Sequence, residues 1–151
     1  NCLLVYTGLS RYAKVLEKKK IDSINNNKSY YDDIYDIANY AKKKLNSDPN
    51  KFLNEIPLLL NETWKLKKKL TKNVTNSQID DLYNYCIKNG AEGGKLLGSG
   101  AGGFFLFVCK NSESKKKLAK SLKNSILVNF KTEEKGSRII FKNKDYYDII
   151  N

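Results

Sequence analysis

The sequence predicts an α+β fold in one domain, residues 1–151, with a small antiparallel sheet and helices packed on one of its faces. Two observations indicate this class. Segments with the helical spacing of apolar residues fill most of the first half of the chain, and short apolar runs separated by turns fill the second half. Strands that follow one another through short turns pair antiparallel, and helices that outnumber them cover one face.

The first predicted element is a strand. Residues 2–6 form a continuous apolar run that ends at Thr7-Gly8, as expected of a strand buried on both faces. A helix is expected from about Ser10. The polar residues 22–29, which include three consecutive asparagines, predict a mobile loop after it.

Two long helices are predicted next. Apolar residues recur with the helical spacing over residues 30–45 and again over residues 52–70. Between them, Asp48 supplies a capping side chain and Pro49 suits the first helical position. Pro57, inside the second segment, predicts either a kink or two abutting helices.

The second half of the chain opens with a third helix, which Asn76 can cap and which ends at Gly90, a residue that suits a left-handed C-cap. The remaining apolar runs predict four strands and one further helix. In chain order these are a strand at 95–97, a strand at 104–109, a helix at 112–122, a strand at 126–130 and, after a polar turn at 132–136, a strand at 138–141.

The composition excludes several kinds of site. Without histidine, the chain has no Ser-His or Cys-His nucleophile pair and no common zinc site. Cys2, Cys86 and Cys109 are too scattered to predict a disulfide or a metal site, and we expect them to be reduced thiols of a cytoplasmic protein. The longest apolar run, residues 104–109, is far too short to span a membrane.

The net charge of +12 suits ligands that carry phosphate, because a basic surface attracts phosphate. Nucleic acid is nevertheless not the expected partner. Only two of the 28 basic residues are arginines, Arg11 and Arg138, and no strand interleaves aromatic and basic residues as RNA-binding sheets do. We therefore expect a mostly solvated basic surface. Within it the two arginines are best suited to bind a phosphate, because the guanidinium group can bind two phosphate oxygens at once.

Seven of the nine glycines lie within residues 90–103. Glycine permits positive φ, and successive exposed amides in such a segment form a nest that binds anions. The same glycines also suit a tight, bulged strand connection without a ligand, so both interpretations stay open. Gly98, Gly100 and Gly103 satisfy G-x-G-x-x-G, but a strand follows where a dinucleotide site needs a helix, and the ending of a P-loop is missing.

The run Gly93–Phe104 resembles the third conserved motif of the GHMP kinases. Segments at 4–11, 64–68 and 136–140 resemble, in the same order, the heptose 7-phosphate kinases of that family. The resemblance implies a ferredoxin-like α+β domain, the C-terminal domain of these enzymes. It also implies transfer of the γ-phosphoryl group of ATP, with Mg²⁺, to the anomeric hydroxyl of a heptose 7-phosphate. Such a kinase supplies nucleotide-activated heptose for lipopolysaccharide or capsule synthesis.

The family's other motifs, among them its phosphate loop and its catalytic carboxylate, have no counterpart in these 151 residues. The chain also lacks methionine and opens within a predicted strand. We therefore expect a piece of a longer polypeptide, whose missing N-terminal domain binds most of the ATP and Mg²⁺ and carries the catalytic residues. Phosphoryl transfer depends on positioning and electrostatic stabilisation by the whole site, so this chain alone is expected to be inactive.

The resemblance also assigns site residues. Those expected to face the acceptor and the transferred phosphate are Gly98, Ser99, Gly100, Ala101 and Gly102. Those expected to bind the acceptor are Thr7, Gly8, Arg11 and Lys67. Arg11 would hold the sugar's distal phosphate, with a surface ion pair as the alternative, and the alternative for Lys67 is a solvated helix face. Ala101 is expected to have a negative φ, since only then does alanine fit without strain.

Two more residues of these motifs have structural interpretations. Trp64 is expected in the core and not as a stacking platform, and Arg138 is expected in a structural or interdomain ion pair. The alternative to a kinase half is a stand-alone module on the same scaffold that binds a small molecule or nucleic acid without catalysis.

Overall fold

The computed structural model describes residues 1–10, 18 and 21–141. Its elements, in chain order, are β1 (Cys2–Tyr6), a short 3-10 helix (Asn25–Asn27), α1 (Lys28–Ser47), α2 (Pro49–Leu70), α3 (Ser77–Lys88), β2 (Ala91–Leu96), β3 (Phe104–Cys109), α4 (Ser112–Ser121) and β4 (Leu127–Val128). Arg11 and most of the helix predicted from Ser10 lie outside the described residues.

The four strands form one antiparallel sheet in the order β2-β3-β1-β4. The two central strands are β1 and β3, and their register pairs Tyr6 with Phe104. The residues that follow β1 therefore start beside the residues that precede β3. The predicted α+β class with a small antiparallel sheet is confirmed.

The core lies on one face of this sheet. Leu3 and Val5 of β1 and Phe105 and Phe107 of β3 are buried in alternation along their strands. They form one cluster with side chains from three helices, namely Trp64 of α2, Ile79 and Cys86 of α3, and Leu118 of α4. Burial of each large apolar side chain contributes about 1.5–3 kcal/mol to stability.

Polar side chains cap the helices that flank the site. The Asp48 carboxylate accepts from the Lys51 amide at 3.0 Å at the start of α2, and the Asn76 side chain accepts from the Ile79 amide at 2.9 Å at the start of α3. Each such cap contributes about 1 kcal/mol. Both predicted caps are confirmed.

The chain passes through Pro57 within one continuous helix, so the predicted alternative of two abutting helices is wrong. Pro57 is buried against the first strand of the glycine-rich region. A Cβ on Gly93 would lie 2.0 Å from the Pro57 carbonyl oxygen, a distance no side chain can accommodate. Gly93 is therefore required because α2 crosses directly over β2.

Other predicted boundaries also need correction. Residues 22–29, predicted as a mobile loop, contain the 3-10 helix and the start of α1. This segment is also bound to the end of α2, because the Asn27 side-chain amide donates to the Leu70 carbonyl at 2.8 Å. β2 begins four residues before its prediction, with an irregularity in register between Ala91 and Gly93. Glycines have poor strand propensity, and this segment becomes a strand through its pairing with β3.

The C-terminal strands are shorter than predicted. Of residues 126–130 only Leu127 and Val128 pair in the sheet, and residues 138–141 form no strand. Within the described residues no strand edge pairs with this segment, and Ile139, Ile140 and Phe141 are 82%, 87% and 81% exposed.

Among the described residues, no helix combines the length and the apolar character needed to cross a bilayer.

Candidate functional site

The glycine loop, which we define as residues 97–103, connects β2 to β3 and is bound to the segment that follows β1. The Thr7 amide donates to the Gly103 carbonyl at 2.9 Å, and the Gly103 amide donates to the Leu9 carbonyl at 2.9 Å. These two bonds extend the pairing of the central strands by one more step. They place residues 7–10 along one side of the loop.

The connection between α2 and α3 supports the middle of the glycine loop. The Ala101 amide donates to the carbonyl of the buried Val74 at 2.7 Å. A Cβ on Gly100 would lie 3.0 Å from the same carbonyl oxygen, and a Cβ on Gly102 would lie 2.5 Å from the Leu9 carbonyl oxygen. Both glycines also have positive φ, +108° and +156°. Close approach of three backbone segments therefore requires glycine at both positions.

Ala101 has a φ of +61°, so the prediction of a negative φ is wrong. The left-handed conformation costs a residue with a Cβ about 1–2 kcal/mol. The hydrogen bond to Val74 and the burial of the methyl group, which leaves 2% of the residue exposed, hold Ala101 in place. Alanine is thus accepted here at a cost in strain.

Four amides of the glycine loop have no acceptor in the described part of the chain, and these belong to Gly98, Ser99, Gly100 and Gly102. The same four residues line a pocket of about 500 Å³ together with Tyr6, Leu9, Ser10, Leu97, Gly103 and Phe104. Unpaired amides on a concave stretch of backbone attract anions, and phosphate oxygens are the usual ligands. The geometry favours the anion-binding interpretation over a connection without a ligand.

Lys67 lies beneath the start of the glycine loop, in the last turn of α2, with 9% of its surface exposed. Its ammonium group donates to the Leu96 carbonyl at 2.9 Å and to the Gly98 carbonyl at 2.5 Å. The alternative of a solvated helix face is therefore wrong. Direct contact between Lys67 and an acceptor stays a prediction.

Thr7 and Gly8 lie at the turn that leaves β1. Thr7 is 5% exposed, and its hydroxyl oxygen accepts from the Leu9 amide at 3.2 Å, so the hydroxyl stabilises the turn. Gly8 is exposed with a φ of +77°. The two residues line a second pocket of about 380 Å³ with Tyr6, Gln78, Leu82, Asn124, Ser125 and Ile126. Contact between either residue and an acceptor stays a prediction, as does the role of Arg11, which is not described.

The structural interpretations of Trp64 and Arg138 agree with the structure. Trp64 is 1% exposed and packs edge-on against Phe105, with the ring centroids 5.6 Å apart, so it belongs to the core. Arg138 lies 3.7 Å from the Glu133 carboxylate, and both side chains are more than half exposed. An exposed pair of this kind contributes little to stability.

Sequence reasoning missed Asn61, which fixes β2 to α2. Its side-chain oxygen accepts from the Tyr83 hydroxyl at 2.6 Å and from the Gly94 amide at 2.9 Å, and its side-chain nitrogen donates to the Glu92 carbonyl at 3.1 Å. Asn61 lies on the same face of α2 as Trp64. A polar residue on an otherwise apolar helix face indicates a buried side chain with hydrogen-bond partners, and this pattern could have identified Asn61.

The thiols near the core are held in their neutral form. Burial, reinforced by the neighbouring Cys109, raises the pKa of the Cys86 thiol to about 12. Burial likewise raises the pKa of Cys109.

Among the described residues no group of three or more Cys, Asp or Glu side chains lies close enough to hold a metal ion. The unpaired backbone amides of the glycine loop are the donors that an anion would use.

The chain is similar to known kinases over much of its length. The family described as "GHMP kinases C terminal" matches residues 49–129. Over 105 residues the chain is 30% identical to D-glycero-alpha-D-manno-heptose 7-phosphate kinase of Campylobacter jejuni subsp. jejuni serotype O:2, covering 70% of the chain and 31% of that protein. Over 121 residues it is 29% identical to the bifunctional fucokinase/GDP-fucose pyrophosphorylase of Arabidopsis thaliana, covering 80% and 11%.

Among solved structures, the mevalonate kinase of L. major in complex with R-mevalonate superposes with a TM-score of 0.67 at 21% identity, over 81% of this chain and 37% of that one. At this identity the likeness concerns the fold alone. The chain spans about a third of the length of the heptose 7-phosphate kinase and about a tenth of the bifunctional enzyme.

Proposed function

The chain belongs to the GHMP kinase family, and we propose that it is the acceptor-side half of an ATP-dependent sugar kinase. The reaction transfers the γ-phosphoryl group of ATP to the anomeric hydroxyl of a heptose 7-phosphate. The product feeds the synthesis of nucleotide-activated heptose for surface polysaccharide, in the cytoplasm. Two relatives whose names describe sugar kinases, at 30% and 29% identity, support a sugar as the acceptor.

The observation that carries this proposal is the set of four unpaired amides in the glycine loop. Phosphoryl transfer asks a protein for position and for electrostatic stabilisation of the phosphate oxygens. Fixed amide donors give this stabilisation without reorganisation, because the backbone is already held in place. In this chain the fixing contacts are the bonds of the loop to Leu9, Val74 and Lys67.

The proposal assigns a role to each site residue. Gly98, Ser99, Gly100 and Gly102 bind the transferred phosphate and face the reacting hydroxyl, while Ala101, whose amide donates to Val74, fixes the loop. Thr7 and Gly8, which line the pocket of about 380 Å³, bind the acceptor, and Arg11, four residues after Thr7, holds its distal phosphate. Arginine suits this task because its planar fork binds two phosphate oxygens at once.

We further propose that ATP and Mg²⁺ are bound mainly by an N-terminal domain of the same polypeptide. Mg²⁺ neutralises charge on the β- and γ-phosphates in reactions of this class. The described residues bring together no group of carboxylates that would fit such an ion, so no step is assigned to them through the metal. The matched residues of this chain cover only 31% of the heptose 7-phosphate kinase it resembles, which supports a second domain.

The exposed apolar segment at residues 139–141 also supports a second domain. Three consecutive large apolar side chains there are each more than 80% exposed. Surfaces of this kind usually mark a contact with another protein surface. We expect the chain alone to give no phosphoryl transfer, since it supplies only one side of the site.

Titration of the chain with inorganic pyrophosphate tests the anion site. Amide chemical shifts in ¹H–¹⁵N spectra are followed for the whole chain, and we expect the largest changes at Gly98, Ser99, Gly100 and Gly102. Sodium chloride at equal ionic strength is the control for general charge effects. Changes spread over the surface lysines, with none concentrated in the glycine loop, would contradict the proposed site.

A further inference from the structure

The direction of one peptide group in the glycine loop is set by Lys67. In a trans peptide the carbonyl of one residue and the amide of the next point in opposite directions, and the described chain contains no cis peptide. The Gly98 carbonyl points to the Lys67 ammonium group at 2.5 Å. The Ser99 amide, on the other side of the same peptide, therefore points away from α2.

The preceding peptide behaves in the same way. The Leu96 carbonyl accepts from Lys67 at 2.9 Å, and the amide on the other side of that peptide, from Leu97, donates to the Phe104 carbonyl at 2.9 Å. Lys67 thus holds two carbonyls on the α2 side. One of the opposed amides is used within the sheet, and the other, that of Ser99, has no acceptor in the described part of the chain.

We propose that Lys67 is a positioning residue that orients the Ser99 amide toward the bound phosphate, and that it acts through the loop backbone without touching the acceptor. This role rests on the proposed function, because it assumes that the glycine loop binds the phosphate. It differs from the direct acceptor contact that the sequence predicts for Lys67.

Three features of the structure support an indirect role. Lys67 is 9% exposed, so its ammonium group lies below the loop and not at the pocket surface, and it is absent from the residues that line the pocket. Two of its three N–H donors are used by backbone carbonyls. The flanking residues Gly98 and Gly100 have positive φ, a region that glycine enters freely, so the loop backbone needs an external contact to select one orientation.

The charge of Lys67 adds to this effect. A hydrogen bond from an ammonium group to a carbonyl polarises the peptide, and charge-assisted hydrogen bonds are about twice as strong as neutral ones. The Ser99 amide therefore becomes a better donor to an anion. A neutral side chain of the same length would lose both the orientation and the polarisation.

Two variants separate this role from a general loss of positive charge. Lys67→Met keeps an unbranched side chain, one atom shorter, and removes its donors. Lys65→Met removes the same charge from the same helix, at an exposed residue whose ammonium group pairs with Glu62 at 2.7 Å. Lys67→Arg keeps a cation with several donors. Lys67→Leu, which also has no donor, replaces Lys67→Met in every comparison if the methionine variant does not fold.

The first measurement uses the 151-residue chain without ligand. The residual dipolar coupling of the Ser99 N–H bond reports its orientation, and that of Phe105 serves as a reference in the sheet. We expect Lys67→Met to change the Ser99 coupling while that of Phe105 stays constant, and Lys65→Met and Lys67→Arg to resemble the wild type. An unchanged Ser99 coupling in Lys67→Met overturns the proposal, whether or not the loop binds anions.

The second measurement is the affinity for inorganic pyrophosphate, followed at the Ser99 amide. We expect Lys67→Met to bind about ten-fold more weakly, on the scale of one hydrogen bond to a charged group, and Lys65→Met to stay within about two-fold of wild type. Equal affinities in Lys67→Met and wild type overturn the positioning role. If the wild type itself shows no binding at the loop, the proposed function fails, and the ligand-free coupling still decides whether Lys67 orients Ser99.

Discussion

The Ala101 amide donates to the Val74 carbonyl at 2.7 Å and so holds a residue with a Cβ at a φ of +61°. The backbone strain at Ala101 therefore lies in the middle of the glycine loop, which lines the pocket of about 500 Å³. Val74 comes from the connection between α2 and α3, so one backbone bond joins the helical layer to the candidate phosphate site.

Ala101→Gly should stabilise the chain by about 0.5–1 kcal/mol. Relief of the left-handed strain is worth about 1–2 kcal/mol, and the greater freedom of glycine in the unfolded chain offsets part of it. The measurement is urea denaturation of both proteins at one pH. A loss of stability of more than about 1 kcal/mol would show that the buried methyl group outweighs the strain.

Gly100→Val should abolish pyrophosphate binding while the sheet stays folded. A Cβ at this position lies 3.0 Å from both the Val74 carbonyl oxygen and a Val74 methyl group, so the loop must move. Gly98→Ala is the matched control, because no atom lies within 4 Å of its added Cβ, although its φ of +65° costs about 1 kcal/mol. Pyrophosphate titration and far-ultraviolet circular dichroism check the two variants. Wild-type binding by Gly100→Val would mean that the loop is structural only.

Asn61→Ala should destabilise the chain by about 2–3 kcal/mol. The substitution leaves the buried Gly94 amide and the Tyr83 hydroxyl without their acceptor, and each unpaired buried group costs about 1–3 kcal/mol. Tyr83→Phe removes one of these bonds and keeps Gly94 paired, so a loss of about 1 kcal/mol is expected from it. Chemical denaturation compares the two. Equal losses would show that the Gly94 bond contributes nothing.

Stability should fall at alkaline pH through Cys86. Burial raises the pKa of this thiol from 9.0 to about 12, so the folded chain keeps a proton that the unfolded chain releases. The contribution is fully present below about pH 9 and is lost, at about 1.4 kcal/mol per pH unit, as the pH rises toward 12.

Cys86→Ala should therefore show a shallower decline between pH 9 and 11, on top of a constant loss from the cavity it creates. Free energies of unfolding at several pH values measure both effects. Parallel curves for the wild type and the variant would rule out a contribution from this thiol.

The parts of the fold that depend on local signals were predictable. β1 and β3 follow from continuous apolar runs, and Asp48 and Asn76 cap the helices where their side chains predict it. β2 was predicted too short, because its glycines show no strand propensity and its strand state comes from contacts with β3 and Asn61.

The candidate site was predictable in composition but not in geometry. The glycine cluster marked the loop, yet the sign of φ at Ala101 depends on a bond to Val74, a residue remote in sequence. The hydrogen bonds of Lys67 to two backbone carbonyls could not be predicted from the sequence, because every residue has a backbone carbonyl and the residue types of the acceptors carry no signal. The predicted strand at 138–141 failed because a strand also needs a neighbouring edge.

The kinase reaction itself tests the central claim most directly. A polypeptide that joins this chain to the proposed N-terminal domain is incubated with ATP, Mg²⁺ and heptose 7-phosphate, and ³¹P NMR follows the products. We expect a new phosphate signal coupled to the anomeric proton, and none from the same polypeptide with Gly100→Val. Absence of an ATP-dependent signal in the wild type, or an equal rate in the variant, would contradict a sugar kinase whose glycine loop binds the transferred phosphate.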